Sequence, residues 1–358
     1  MTSLVRTTPV SVLDRSRTRR GEPYPRALTS TVAFARKAEA WGYRRFWVSE
    51  HHGVPGVAGS APTVLAAAVA AATETIRVGT GGVMLPNHRP MVVAEQFGVL
   101  ESLYPGRIDM GLGRSVGFTD GIRRALGHGK DAAAEFSAQL DELLGFFTGE
   151  QTVYPDVHAR PAEGLRPAPF VLATKGGAEI AARAGLPLVI APLGGDDERL
   201  LRSIEAYRTG FRPSPWADAP YVVVAGTVAV AETDAAAEEL LVPEAWSAAY
   251  SRTHGVFPPL VPAAEVRGLA MTDRERTYFA DALRGPIRGT ADRVEDELGA
   301  MLARTGADEF LVTTSTYDRD ALDDSFARLA ALTTTTASAP PTARARATAR
   351  ARATVTPP

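Results

Sequence analysis

A chain of 358 residues, 45% of them hydrophobic, can bury a sizeable core in one large domain or in two ordinary ones. Its net charge of −2 gives no electrostatic footprint for nucleic acid or an anionic membrane, so a small-molecule partner is expected. The absence of cysteine excludes disulfides, thiolate metal ligands and Cys nucleophiles.

The opening MTSLVRTTPVSVLD has no basic segment followed by an apolar one, and no run of about 18 apolar residues occurs anywhere, which predicts a soluble, cytoplasmic protein. VSVLD (Val10 to Asp14) reads as a first strand, followed by the helix ALTSTVAFARKAEAWG, which ends on Gly42. RRFWVSE is the second strand, and Pro62 opens the Ala-rich helix after it. IRVGTGGVML and PGRIDMGLG carry the third and fourth strands, with the helix MVVAEQFGVLESLY between them. A long loop then precedes the helix AAAEFSAQLDELLGFF. APFVLATKGG, LPLVIAP and YVVVAGTVAV supply strands five to seven, alternating with the helices AEIAARAG and DDERLLRSIEAYRTGF. A helical, Pro-interrupted insertion runs from Thr233 to Pro286, and EFLVTT is the eighth strand. Eight strands, each followed by helix, predict a (β/α)8 TIM barrel over residues 1–332 as one domain; the alternative is an open doubly wound sheet with a second domain. Residues 333–358 are rich in Arg, Ala, Thr and Pro, cannot bury enough surface to offset their ordering entropy, and are expected to form a disordered tail.

In a barrel, side chains just beyond the C-terminal strand ends face the active site. VSEHHGVPG places an acid and the only His-His pair there, and strand alternation sends His51 to the face of Trp47 and Ser49 and His52 to the other. No metal site is expected, because HExxH spacing is absent and adjacent residues on a strand rarely chelate one ion; a pair of packing histidines is the plainer alternative. Gly79, Gly81 and Gly82 stand where a buried strand usually carries Val or Ile, which fits either a flat ring lying close or tight packing inside the barrel. Gly111, Gly113 and Gly117 miss the dinucleotide spacing by one residue. Arg114 follows a strand end, where a guanidinium suits phosphate. Thr174, Lys175, Gly176 and Gly177 join a strand to a helix start, which also suits a phosphate dianion, although such turns are common. Basic residues are nearly all Arg, with Lys37, Lys130 and Lys175 the exceptions, so any single Arg carries little weight.

In order and spacing, FWVSEHHGVPG, IRVGTGGVMLPNHRPMVVAEQF with LYPGRIDMGLGR, the GLP turn after TKGGAEIAARA, and GADEFLVTTSTYD resemble the bacterial luciferase-like, flavin-dependent monooxygenases. The resemblance implies a (β/α)8 barrel that binds reduced FMN (FMNH2), with His51 tied to flavin chemistry. It also implies a cis peptide at Gly81-Gly82 under the ring, and phosphate contacts from Arg114 and from Thr174 to Gly177. The chain departs from luciferase at Gly113, where luciferase has cysteine, which argues against light emission. It departs again in the turn, where hydroxyl residues become Lys-Gly-Gly. The implied reaction is oxygenation of a small organic substrate, with a natural-product intermediate as the candidate, by O2 through a flavin C4a-hydroperoxide. His51 would act as base or hydrogen-bond partner with a pKa near neutrality. Reduced flavin is expected from a separate NAD(P)H:flavin reductase, and the chain is expected to form a homodimer. Two competing readings share the pattern: a deazaflavin-dependent hydride-transfer oxidoreductase, and a non-catalytic flavin-binding protein.

Overall fold

The computed structural model describes residues 3–173, 176–192 and 197–333. Its strands are β1 (Val10–Asp14), β2 (Arg45–Val48), β3 (Arg77–Thr80), β4 (Val83–Met84), β5 (Ile108–Gly113), β6 (Ala168–Ala173), β7 (Leu188–Ile190), β8 (Val222–Gly226), β9 (Val228–Val230), β10 (Ile287–Gly289) and β11 (Glu309–Val312). The main sheet runs β3-β2-β1-β11-β8-β7-β6-β5-β4, and a further β3–β5 pairing closes it into a parallel barrel. β3 and β4 together make one stave, so the barrel has the eight staves read from the sequence.

Alternation along these strands sorts the core into two. Leu13, Trp47, Phe170, Leu172, Val189, Val223 and Leu311 come from six different strands and fill the barrel interior. The residues of opposite parity, such as Phe46, Val48, Val78, Val224, Phe310 and Val312, pack outward against the helical ring. The helix Tyr24–Ala40 shows how a ring helix docks: Ala27, Phe34, Ala35 and Ala38 recur at helical spacing on its buried face. Phe34 meets Phe46 and Phe326 edge-to-face at 5.8 and 4.9 Å.

Two predicted strands prove to be broken. The third divides at Gly81-Gly82, which are joined by a cis peptide and lie between β3 and β4. The seventh divides at Thr227: β8 stays in the barrel, while β9 leaves it to pair in parallel with β10, a strand just after the insertion that the sequence did not predict. The long loop after β5 also contains a short helix, Asp120–Ala125, capped by Thr119. The insertion consists mainly of the helices Asp234–His254 and Asp273–Arg284, the second opened by a capping box of Thr272 and Glu275. The final helix ends at Thr333, and the tail that follows lies outside the described residues.

Candidate active site at the strand ends

The two histidines after β2 part as strand alternation requires. His51 stays on the interior side: its Nδ1 shares a hydrogen bond of 3.1 Å with Ser49 Oγ, and its backbone N–H donates to Gly59 O at 2.9 Å. Nε2 makes no hydrogen bond among the described residues. Burial, reinforced by the positive charges of Arg15 and Arg17, pulls the His51 pKa down to about 4. The expected near-neutral pKa is thus corrected: burial and the two arginines outweigh the nearby Glu50 carboxylate, and His51 is a neutral imidazole at pH 7, an acceptor or base rather than a cation.

His52 turns the other way, to Glu50. The Glu50 carboxylate is buried and accepts from His52 Nε2 at 2.7 Å, from His88 Nε2 at 3.0 Å on both oxygens, from the Met84 N–H at 2.9 Å and from Asn87 Nδ2 at 3.3 Å. Burial alone would raise its pKa, but the two histidines and the Met84 N–H hold it down at about 2. Glu50 therefore ties the stretch immediately after the cis peptide to the end of β2. The donor atoms of Glu50, His52 and His88 lie within 4.8 Å of one another, a cluster that the sequence reading did not assemble because His88 is 36 residues from His52. The Nε2 of each histidine is already engaged with the carboxylate.

The glycines of the third stave are explained by packing. A Cβ on Gly82 would stand 2.7 Å from Gly111 O, one on Gly81 would stand 2.6 Å from Leu13 Cδ1, and one on Gly79 would overlap the Asp109 backbone. Gly113 is different: a Cβ there would meet nothing nearer than Val83 O at 3.8 Å, so the end of β5 is open.

Arg114, the next residue, and the start of the helix Gly177–Ala184 come together, since Arg114 Nη1 lies 3.9 Å from where a Gly176 Cβ would be. Gly176 adopts φ 75°, a left-handed conformation that suits glycine, and it is followed by helix N–H groups free of intrahelical partners. A guanidinium beside a helix N-terminus is an arrangement that can hold a phosphate, and the Glu179 carboxylate also reaches this corner, 3.5 Å from the same Cβ position. Thr174 and Lys175, named with this turn, lie outside the described residues.

The sequence reading missed the arginines of the first strand's extension. Arg15 donates to Thr313 O at 2.7 Å and pairs with Glu244, Arg17 donates to Ser247 Oγ at 2.6 Å, and Arg19 donates to Thr316 O at 2.7 Å. They fasten the insertion and the last loop to the rim. The available signal was their alternation, Arg15, Arg17 and Arg19, directly after a strand.

Comparison with known proteins agrees with this frame. Residues 8–337 match the family described as luciferase-like monooxygenase. The chain belongs to the luciferase-like monooxygenases. It is 34% identical over 320 residues to the Luciferase-like monooxygenase of Escherichia coli strain K12, covering 88% of this chain and 94% of that one. It is 37% identical over 238 residues to N-acetyl-S-alkylcysteine monooxygenase of Bacillus subtilis, covering 62% and 70%. Among solved structures, apo-MsnO8 matches with a TM-score of 0.78 and 28% identity over 92% of this chain and 98% of that one. At the level of fold alone, the family barrel is shared by two further structures. One is the FMN complex of the oxygenating constituent of 3,6-diketocamphane monooxygenase from Pseudomonas putida, with a TM-score of 0.70, 19% identity and coverage of 90% and 97%. The other is an F420-dependent secondary alcohol dehydrogenase, with a TM-score of 0.67, 15% identity and coverage of 91% and 100%. No helix among the described residues is long and apolar enough to cross a membrane.

Proposed function

We propose that this protein is an FMNH2-dependent monooxygenase that oxygenates a small organic substrate and draws its reduced flavin from a separate reductase. The observation that carries the reading is the corner where Arg114 meets the helix start at Gly176, beside the open end of β5 at Gly113. Arg114, Gly176 and Gly177 would hold the phosphate, the cis Gly81-Gly82 segment would support the ring, and Glu50 keeps that segment in place. Reduced FMN, when bound, supplies two electrons and two protons to O2, so that one oxygen atom enters the substrate and the other leaves as water. His51 contributes a neutral imidazole whose Nδ1 is engaged by Ser49, leaving Nε2 to accept or return a proton at the reacting atoms.

The phosphate corner suits FMN and a deazaflavin alike. The preference for FMN rests on relatives above 30% identity that are named monooxygenases, whereas the F420-dependent dehydrogenase stands at 15%. An N-acetyl-S-alkylcysteine, the substrate class in the name of the Bacillus subtilis relative, is the first compound to try. A homodimer is supported by exposed Val64 on the helix Pro62–Ala72 and by exposed Val92, Val99 and Leu103 on its neighbour Pro90–Leu103, an apolar stripe that needs a partner.

The test is a single turnover with photoreduced FMN, 18O2 and N-acetyl-S-benzyl-L-cysteine. One labelled oxygen atom in the product is the expected result. Oxidation without label, or turnover with reduced F420 only, would replace oxygenation by hydride transfer.

A further inference from the structure

The rim holds a cation that neither the phosphate corner nor His51 employs. Arg17 is only 6% exposed. Its Nη2 donates to Ser247 Oγ at 2.6 Å and to Pro258 O at 3.4 Å, its Nε is buried without a partner, and its Nη1 makes no hydrogen bond among the described residues. No carboxylate pairs with it there. Glu244 is the acid that acts on Arg17 through space, yet it is already paired with Arg15, and Arg15 and Arg19 both repel Arg17. Burying an uncompensated charge costs several kcal/mol, so one that the fold holds in place with neutral acceptors is set up for an anion from outside.

Its surroundings define the rest of the ligand. Pro258, whose carbonyl accepts from Arg17, follows Phe257. The Phe257 ring lies 5.7 Å from that of Phe118, which is half exposed on the loop after β5. We propose that the substrate carries a carboxylate, bound by Arg17, on an apolar body that Phe118 and Phe257 cover. Arg15 is met by Glu244 and Arg19 donates to the backbone carbonyls of Tyr317, Arg17 and Thr316, so a single guanidinium is left to the ligand, which fits a carboxylate monoanion better than a phosphate dianion. The Arg17 charge reaches His51, whose pKa it helps to lower, so the carboxylate would be held within electrostatic range of the reacting atoms.

This inference rests on the monooxygenase reading for the place of the site, and its test separates the two. N-acetyl-S-benzyl-L-cysteine and its neutral carboxamide would be titrated by calorimetry into the full chain loaded with FMN, in wild type, Arg17→Gln and Arg17→Lys, with FMN affinity measured in each as the control for folding. The acid should bind wild type about tenfold to hundredfold more tightly than the amide. Arg17→Gln should remove most of that ratio and Arg17→Lys only part of it, at unchanged FMN affinity. Equal affinities in wild type, no saturable binding of either compound, a ratio that survives Arg17→Gln, or loss of FMN binding together with it would each overturn the assignment. Selective binding of the acid with no 18O incorporated would instead overturn oxygenation and leave Arg17 as the carboxylate site.

Discussion

At the strand starts, Asp109 accepts four hydrogen bonds from Arg45, Arg77 and Trp47, and Glu309 accepts from Arg45, Tyr221 and Ser11. At the strand ends, His51 keeps one ring nitrogen free, Arg17 lacks a paired acid, and Arg114 stands beside a helix start. Both ends of one barrel bury polar groups. The lower network is closed: each carboxylate meets guanidinium, hydroxyl or indole donors inside the protein. Of the upper groups, His51 and Arg17 are held in position by neutral neighbours and left incomplete. Closed networks fix a barrel's interior, whereas incomplete ones are where a ligand can supply the missing partner.

The contrast would break most visibly at His51. His51→Ala should slow single-turnover oxygen transfer by about a hundredfold to ten-thousandfold, the usual contribution of a positioned acid or base. It should not weaken the apoprotein in acid. The His51 pKa is about 4 in the folded chain against an ordinary 6.5, so on acidification the unfolded chain takes up a proton that the folded one refuses. Wild-type stability should therefore fall as pH drops from 6.5 toward 4, by roughly 3 kcal/mol from this group, and His51→Ala should lack that component. Urea midpoints of both proteins at pH 7 and pH 4.5 measure it; parallel declines would show that His51 titrates normally.

Asp109→Ala should do the reverse, since it takes the carboxylate partner from Arg77 and leaves Arg45 with Glu309 alone. Breaking a buried pair from one side typically costs 3–5 kcal/mol, readable as a lower urea midpoint at neutral pH. A loss below about 1 kcal/mol would mean that the lower network is no more closed than the rim.

Arg114→Ala is expected to be milder. It should weaken FMN about tenfold to hundredfold with little effect on riboflavin, because the contact is to a phosphate that only FMN has. Fluorescence titration of both ligands reads the difference, and equal weakening would move Arg114 away from the phosphate.

What the sequence made legible follows the same division. Strand and helix alternation gave the barrel because a two-residue period and a 3.6-residue period are local properties. His51, Gly81-Gly82 and Arg114 could be named as candidates because each lies directly at a strand end, and Gly176 and Gly177 because they join a strand to a helix. The break of the seventh strand at Thr227 was hidden, since VVVAGTVAV keeps its apolar character while changing partners from β11 to β10. Glu50 and His88 were hidden for another reason: 38 residues separate them along the chain, and only the folded barrel brings them together. The rim arginines were masked by an Arg-rich composition in which no single arginine stands out.

The smallest expected effect sharpens the comparison at its most ambiguous point, because Glu50, His52 and His88 lie at the functional end yet resemble the closed network below. His52→Ala removes one donor from Glu50, which still accepts from His88, the Met84 N–H and Asn87. If the cluster is a clamp, the loss should be about 1 kcal/mol of stability, with a change in turnover of only a few-fold. Glu50 should respond more strongly, since Glu50→Ala removes the shared acceptor and frees the Met84 segment, lowering FMN affinity as well as stability. A cation held by the same three residues predicts another pattern: stoichiometric metal in the purified protein, loss of that metal on dialysis against EDTA, and equal damage from His52→Ala and His88→Ala. Metal content and urea midpoints for these three variants therefore decide whether the cluster is complete as it stands or completed from outside.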